Sequence, residues 1–153
     1  MFCRFIAMLT GKGCGWVLDI TRIDLSRYRL QKAKEMLASA KRDMGAEDYS
    51  SANNRAYYAI FHAMRAVLAL DGEDYKKHSA VIARFTLNYL KPEILPREYS
   101  KLISNASLIR NRIDYEDFYI CSVADTNALF TGAESFCAEV GKYLVGRYGE
   151  VSL

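Results

Sequence analysis

The chain reads as an all-α protein, an up-and-down bundle of four long helices plus one short helix. Apolar residues recur at steps of three and four over most of its length, the signature of helices with one buried face. Only two prolines, Pro92 and Pro96, occur in 153 residues. The polar stretches between periodic segments are short, as between antiparallel neighbours in a bundle. A chain of this length buries one core, so a single domain over residues 21–150 is expected.

The elements follow in order. Residues 1–20 share no periodicity with what comes after them. Their apolar run is short, is cut by "GKGCG" and lacks a small-residue cleavage site, which argues against a secretory signal or a membrane span. They read as an N-terminal extension, either disordered or the product of a mis-called start with Val17 or Leu18 as an alternative first codon, and dispensable to the core. The first helix is expected from a cap at Asp24 or Ser26 to Met44. Its stripe is Tyr28, Leu30, Ala33, Met36, Leu37, Ala40 and Met44, and Gly45 ends it. The second, Tyr49 to Leu70, is opened by "DYSS" and closed by "LDG". It is apolar over more than one face (Ala52, Ala56, Ala59, Ile60, Ala63, Met64, Val67, Leu68), so it is either central or packed on a second chain. A short helix from Ser79 to Tyr89 is interrupted by "KPEILP", because proline disfavours helical geometry in the residue before it. The fourth runs from Arg97 to Asp114. The fifth runs from Ser122 to Tyr148, with Ala124, Ala128, Leu129, Ala133, Phe136, Val140, Tyr143 and Leu144 as its stripe.

Charge and cysteine usage exclude several classes. A net charge of +3 is no polycation. Residues 21–44 nevertheless hold seven Lys/Arg against three acids, while residues 121–153 hold two against four, which leaves room for a basic face. Cys3, Cys14, Cys121 and Cys137 form no paired motif and have only His62 and His78 to help them. They read as free thiols in a reducing cytoplasm, with no metal and no cofactor expected.

Two rows of residues point to chemistry. In the fourth helix Arg110 lies four after Ala106 and seven after Ile103, at the edge of the buried stripe, whereas Asn111 and Arg112 fall on solvated rows. A pair with Asp114 one turn on contributes only about 0.2–0.5 kcal/mol, too little to explain an arginine there. In the second helix Arg55, Tyr58, His62 and Arg65 are spaced by three, four and three, a strip of two cations, a phenol and an imidazole. Taken alone it is an amphipathic helix edge. Facing Arg110 across a cleft, it would bind phosphate.

The stretch "SSANNRAYYAIFHAMRAVLALDGEDYKKHSAVIARF", followed after a proline-containing gap by "LIRNRIDYEDF", resembles the HEPN superfamily, most closely its small stand-alone bacterial and archaeal members. The resemblance covers roughly residues 25–145. It implies a bundle of four to five helices, a homodimer around the second and fourth helices, and a minimal nucleotidyltransferase as partner. Active members resemble metal-independent endoribonucleases carrying an arginine, usually a polar residue after it, and a histidine four to six positions on. Arg110 and Asn111 match the start, but Tyr115 stands where the shorter spacing needs histidine, and no histidine follows His78.

Cleavage by an RNA 2′-hydroxyl needs that oxygen activated, the leaving oxygen protonated and the phosphorane charge stabilised. Arg110 suits the last task, while a phenol with a pKa of about 10 is a poor base near neutrality. His62, packed in the second helix, and His78, placed to cap or open the third, remain. The expectation is a cytoplasmic, non-catalytic or weakly active RNA- or protein-binding module of a toxin–antitoxin or nucleotidyltransferase-associated system. The alternative is a metal-independent endoribonuclease toxin using Arg110, Asn111 and Tyr115, with Arg55, Tyr58, His62, Arg65, His78 and Asp114 on the RNA. Restoring the missing histidine by Tyr115→His is expected to raise cleavage.

Overall fold

A computed structural model describes the backbone of residues 14–151 and the side chains of 21–150. The described residues form α1 (Cys14–Gly45), α2 (Tyr49–Leu70), α3 (His78–Phe85), α4 (Tyr99–Tyr115) and α5 (Val123–Val151), with a π-helical turn (Thr86–Leu90) continuing α3. No strand occurs among them. The all-α bundle of four long helices and one short one is what the periodicity predicts.

Several boundaries have a local cause. Asp48 accepts the Ser51 amide at 3.0 Å and caps α2. At the other end Gly72, at φ +77°, takes the left-handed conformation. Its amide reaches the Ala69 carbonyl while that of Glu73 reaches Leu68, so the last carbonyls are satisfied and the chain turns toward α3. Ser122 caps α5 through the Asp125 amide. The π turn closes on a bond from the Lys91 amide to the Thr86 carbonyl, and its extra residue per turn lets Tyr89 and Leu90 both enter the core.

The start of α1 differs from expectation. The helix begins at Cys14 rather than at Asp24 or Ser26; no proline interrupts the stretch, and the hydrogen-bond ladder runs through both residues. Ser26 is no cap but a buried contact: its hydroxyl donates to the Ala66 carbonyl at 2.7 Å and meets the Tyr148 hydroxyl at 2.7 Å. The buried row is Ile23, Ser26, Leu30, Ala33 and Ala40, with Arg29 beside it, whereas Tyr28 faces solvent. Residues 1–13, including Cys3, lie outside the described residues. On α5, Ala124 and Ala128 are exposed, and the buried stripe runs from Leu129 through Ala133, Phe136 and Val140 to Leu144.

Helix α2 is the hub, packing on α1, α3, α4 and α5. Ala52, Ala56, Ala59, Ala63 and Ala66 are buried along it, and side chains this small let several neighbours approach its backbone. Its apolar circumference is thereby covered within one chain. Met64, Ile60, Phe85 and Phe136 fill the centre. Each such side chain contributes about 1.5–3 kcal/mol on burial, and an overpacking change such as Ala63→Phe would cost about 1–3 kcal/mol.

Candidate functional site

The site lies where α2, the start of α3 and the C-terminal half of α4 meet. Helical spacing puts Tyr58, His62 and Arg65 on one edge of α2, with Tyr57 and Phe61 turned inward from it. The α2–α3 loop delivers His78 as the first residue of α3. Its ring stacks on Phe61 at 4.1 Å between centroids, stands edge-on to Tyr58 at 5.8 Å, and meets the Tyr57 hydroxyl through Nδ1 at 2.8 Å. From α4, the Arg110 guanidinium lies 5.5 Å from the Tyr57 ring centroid and pairs with Asp114 at 3.1 Å. Tyr58 also meets His62, with centroids 6.3 Å apart, and Arg65 sits 5.8 Å from the Phe61 ring.

The α2–α3 loop is held by carboxylates. Asp74 Oδ1 accepts from Arg29 at 3.0 Å and from Arg65 at 2.8 Å. Glu73 binds Arg84 at 2.5 Å and takes the Tyr75 hydroxyl at 2.7 Å. His78 is therefore presented by an anchored segment rather than a loose one.

Electrostatics and hydrogen bonding leave this surface short of acceptors. Burial pushes the His62 imidazole below its ordinary range, and Arg65, Arg29, Lys32 and His78 push it the same way. Burial, then Arg110 and Arg65, lower His78 likewise. Both rings are thus held neutral near pH 7. Arg110 Nε, Arg65 Nε and His62 Nδ1 are buried with no hydrogen-bond partner. An unsatisfied buried polar atom costs about 1–3 kcal/mol, so such atoms together mark a place where a ligand or water completes the structure. Donors from two guanidiniums beside imidazoles suit an oxyanion such as a phosphodiester. Among the described residues no group of three or more His, Cys, Asp or Glu is placed to hold a metal ion, and no helix is long and apolar enough to cross a membrane.

The residues singled out from the sequence fare unequally. Tyr58, His62, Arg65, His78, Arg110 and Asp114 come together. Arg55 does not join them: it is exposed beside a shallow hollow with Ser50, Ser51, Asn54 and Ile113. Asn111 and Arg112 are exposed as expected, and Arg112 is occupied by Glu116 at 3.3 Å. Tyr115 is 81% exposed at the end of α4. One residue beyond Asp114 the helix has turned by about 100°, which carries position 115 off the face that Arg110 and Asp114 share.

Sequence reasoning passed over Tyr57, Phe61, Asp74 and Arg29. Arg29 is only 6% exposed. It could have been found by the logic applied to Arg110, since it falls three after Ser26 and four before Ala33, an arginine on an otherwise apolar stripe. Cys121 and Cys137 are free thiols, as expected.

Comparison with known proteins agrees with this architecture. The model of the HEPN domain family matches residues 26–143. A "UPF0332 protein" of Thermotoga maritima is 29% identical over 117 residues, covering 76% of this chain and 89% of that protein. "Putative toxin MJ0142" of Methanocaldococcus jannaschii is 26% identical over 118 residues, covering 77% of this chain and 80% of the relative. "Putative toxin MJ0605" of the same organism is 34% identical over 86 residues, 56% of this chain and 64% of the relative. With the family pattern spanning everything from the middle of α1 to the second half of α5, the chain belongs to the HEPN domain family.

Proposed function

We propose that the protein is an RNA-binding HEPN module of a toxin–antitoxin-type pair, which holds a phosphodiester at the Arg110, His78, His62 and Arg65 surface and cuts it weakly or not at all. The observation that carries this reading is the set of buried, unpartnered atoms on Arg110, Arg65 and His62, brought to one place by two helices around the His78 ring. Two relatives bear the word toxin in their names, which supports the system type. A minimal nucleotidyltransferase encoded alongside, and a second copy of the chain, are the partners we expect. The absence of histidine after Arg110 on α4 argues against efficient cleavage, because Tyr115 is neither a suitable base nor in the cluster.

The test is titration of a short single-stranded RNA in the presence of a chelator, reading binding and integrity together. Wild type binds with a salt-dependent affinity and leaves the strand intact, and Arg110→Ala weakens binding. A second reading, a metal-independent endoribonuclease, is favoured by one observation: His78, supplied by α3 rather than α4, hydrogen-bonds the Tyr57 hydroxyl whose ring Arg110 covers. Robust cleavage by wild type that vanishes in Arg110→Ala would establish that reading and end the first.

A further inference from the structure

We propose that Tyr57 is a positioning residue that fixes the tautomer of His78, so that the ring presents an N–H to the bound phosphodiester and no free lone pair. This rests on the phosphodiester-binding reading above and deepens it.

The argument is one of donors and acceptors. The Tyr57 side chain is 1% exposed, so its hydroxyl has no water to turn to. A guanidinium can only donate. Arg110 lies over the phenol ring, its guanidinium carbon 5.5 Å from the centroid, and so brings the hydroxyl no acceptor. The hydroxyl proton then needs an acceptor of its own. Among the described residues the one that contacts it is His78 Nδ1, at 2.8 Å. The alternative, Nδ1–H donating to the phenol oxygen, would leave the phenol's own buried proton unpaired, at a cost in the range of an unmade hydrogen bond.

Nδ1 is therefore the acceptor, and in a neutral imidazole the proton must sit on Nε2. Desolvation and the nearby cations keep the ring neutral near pH 7. The stack on Phe61 and the edge contact with Tyr58 hold its plane. His78 then offers one N–H donor and no base. It can hydrogen-bond a phosphate oxygen, but it cannot take a proton from a 2′-hydroxyl, because its lone pair is engaged by Tyr57. On this account Tyr57 keeps a ring beside Arg110 in a binding state rather than a cutting one.

The test is the nitrogen-15 spectrum of the imidazoles at a pH of about 7.5, above their titration. The chain has two histidines, so His62→Gln assigns the remaining signals to His78. The expected pattern is a pyridine-like Nδ1 and a pyrrole-like Nε2. In Tyr57→Phe, with folding checked by circular dichroism, Nδ1 moves downfield toward the position of an unbonded acceptor, and RNA affinity falls about fivefold as the ring loses its hold. A pyrrole-like Nδ1 in wild type, or an Nδ1 resonance unmoved by Tyr57→Phe, would overturn the proposal. The Tyr57→Leu variant, which also lacks a donor, repeats the test should the phenylalanine variant not fold. Loss of RNA binding altogether with the expected spectrum would strike the binding reading and leave the tautomer assignment standing.

Discussion

Two polar clusters in this molecule use the same side-chain chemistry to opposite ends. At the junction of α2, the π turn and α5, the Tyr89 hydroxyl donates to Asp71, Arg147 donates to the Tyr143 hydroxyl at 2.6 Å and lies 3.6 Å from Asp71, and the Tyr89 and Tyr143 rings meet edge-on. Nothing in that clasp is left over. Burial, with Asp71 beside it, raises the Tyr89 phenol far above its ordinary range, so it stays protonated as a donor. At the junction of α2, α3 and α4, arginines are again paired with aspartates, Arg110 with Asp114 and Arg65 with Asp74, yet Arg110 Nε, Arg65 Nε and His62 Nδ1 have no partner. A saturated network stabilises the fold. An unsaturated one keeps binding capacity in reserve at some cost in stability.

This contrast predicts which changes unfold the protein and which disarm it. The largest effect on stability is expected at the clasp. Asp71→Ala strands Arg147 and Tyr89 and should cost about 2 kcal/mol, a fall of roughly 4–8 °C in melting temperature, with RNA affinity unchanged. Thermal melts beside RNA titrations check this, and a matching loss of affinity would show that the two clusters are one system.

Arg110→Ala should do the reverse. Removing a charge-assisted donor weakens RNA binding about tenfold and lowers the salt slope by about one, while stability changes by no more than about 0.5 kcal/mol. A melting point that falls as far as in Asp71→Ala would recast Arg110 as a structural residue.

A smaller effect concerns pH. Both imidazoles are held below their ordinary value, chiefly by burial. The unfolded chain therefore binds protons that the folded chain resists. The stability this provides is complete above the ordinary imidazole pKa of about 6.5 and is lost as pH falls below it. The carboxylates of Asp74 and Glu73 are shifted the same way: for Asp74 burial opposes the shift and is outweighed by Arg65 and Arg29, and for Glu73 the Tyr75 hydroxyl leads. Their contribution is lost only below about pH 4, so the two windows separate. Melting curves between pH 7.5 and 5, set by the imidazole range of about 6.5, should fall in wild type and flatten in His62→Gln. RNA binding should strengthen over the same interval as the rings gain charge.

The smallest effect is expected at Tyr115. Because that residue is 81% exposed, Tyr115→His should not alter stability measurably, and RNA cleavage measured beside it tests the expected gain from the restored histidine. A gain in cleavage would show that the end of α4 reaches the bound strand.

Much of the fold was legible from local pattern. Both ends of α2 were marked by residues that satisfy helix termini through their own backbone and side chains, Asp48 and Gly72, and such signals act within a turn of where they are written. The start of α1 was misplaced because Asp24 and Ser26 resemble caps, and a cap residue inside a continuing helix looks the same in one dimension. The over-apolar surface of α2 suggested either a central helix or a dimer face, and packing on four neighbours accounts for it within the chain.

For the site, the sequence by itself determined that Arg110 sits at the edge of a buried stripe and that Tyr58, His62 and Arg65 share one helix edge, because both follow from the helical period alone. Only the tertiary structure decided that these two rows meet, that His78 comes between them from a third element, and that Tyr57 joins His78 to Arg110. It also decided neighbourhoods that chain order does not: Tyr115, five residues from Arg110, is turned to solvent, while His78, on another helix, hydrogen-bonds the tyrosine that Arg110 covers. The physical reason is range. Periodicity sets the direction of a side chain from its own helix axis, whereas a binding site depends on where several axes cross, and that is fixed by the packing of Ala-lined α2 against its neighbours.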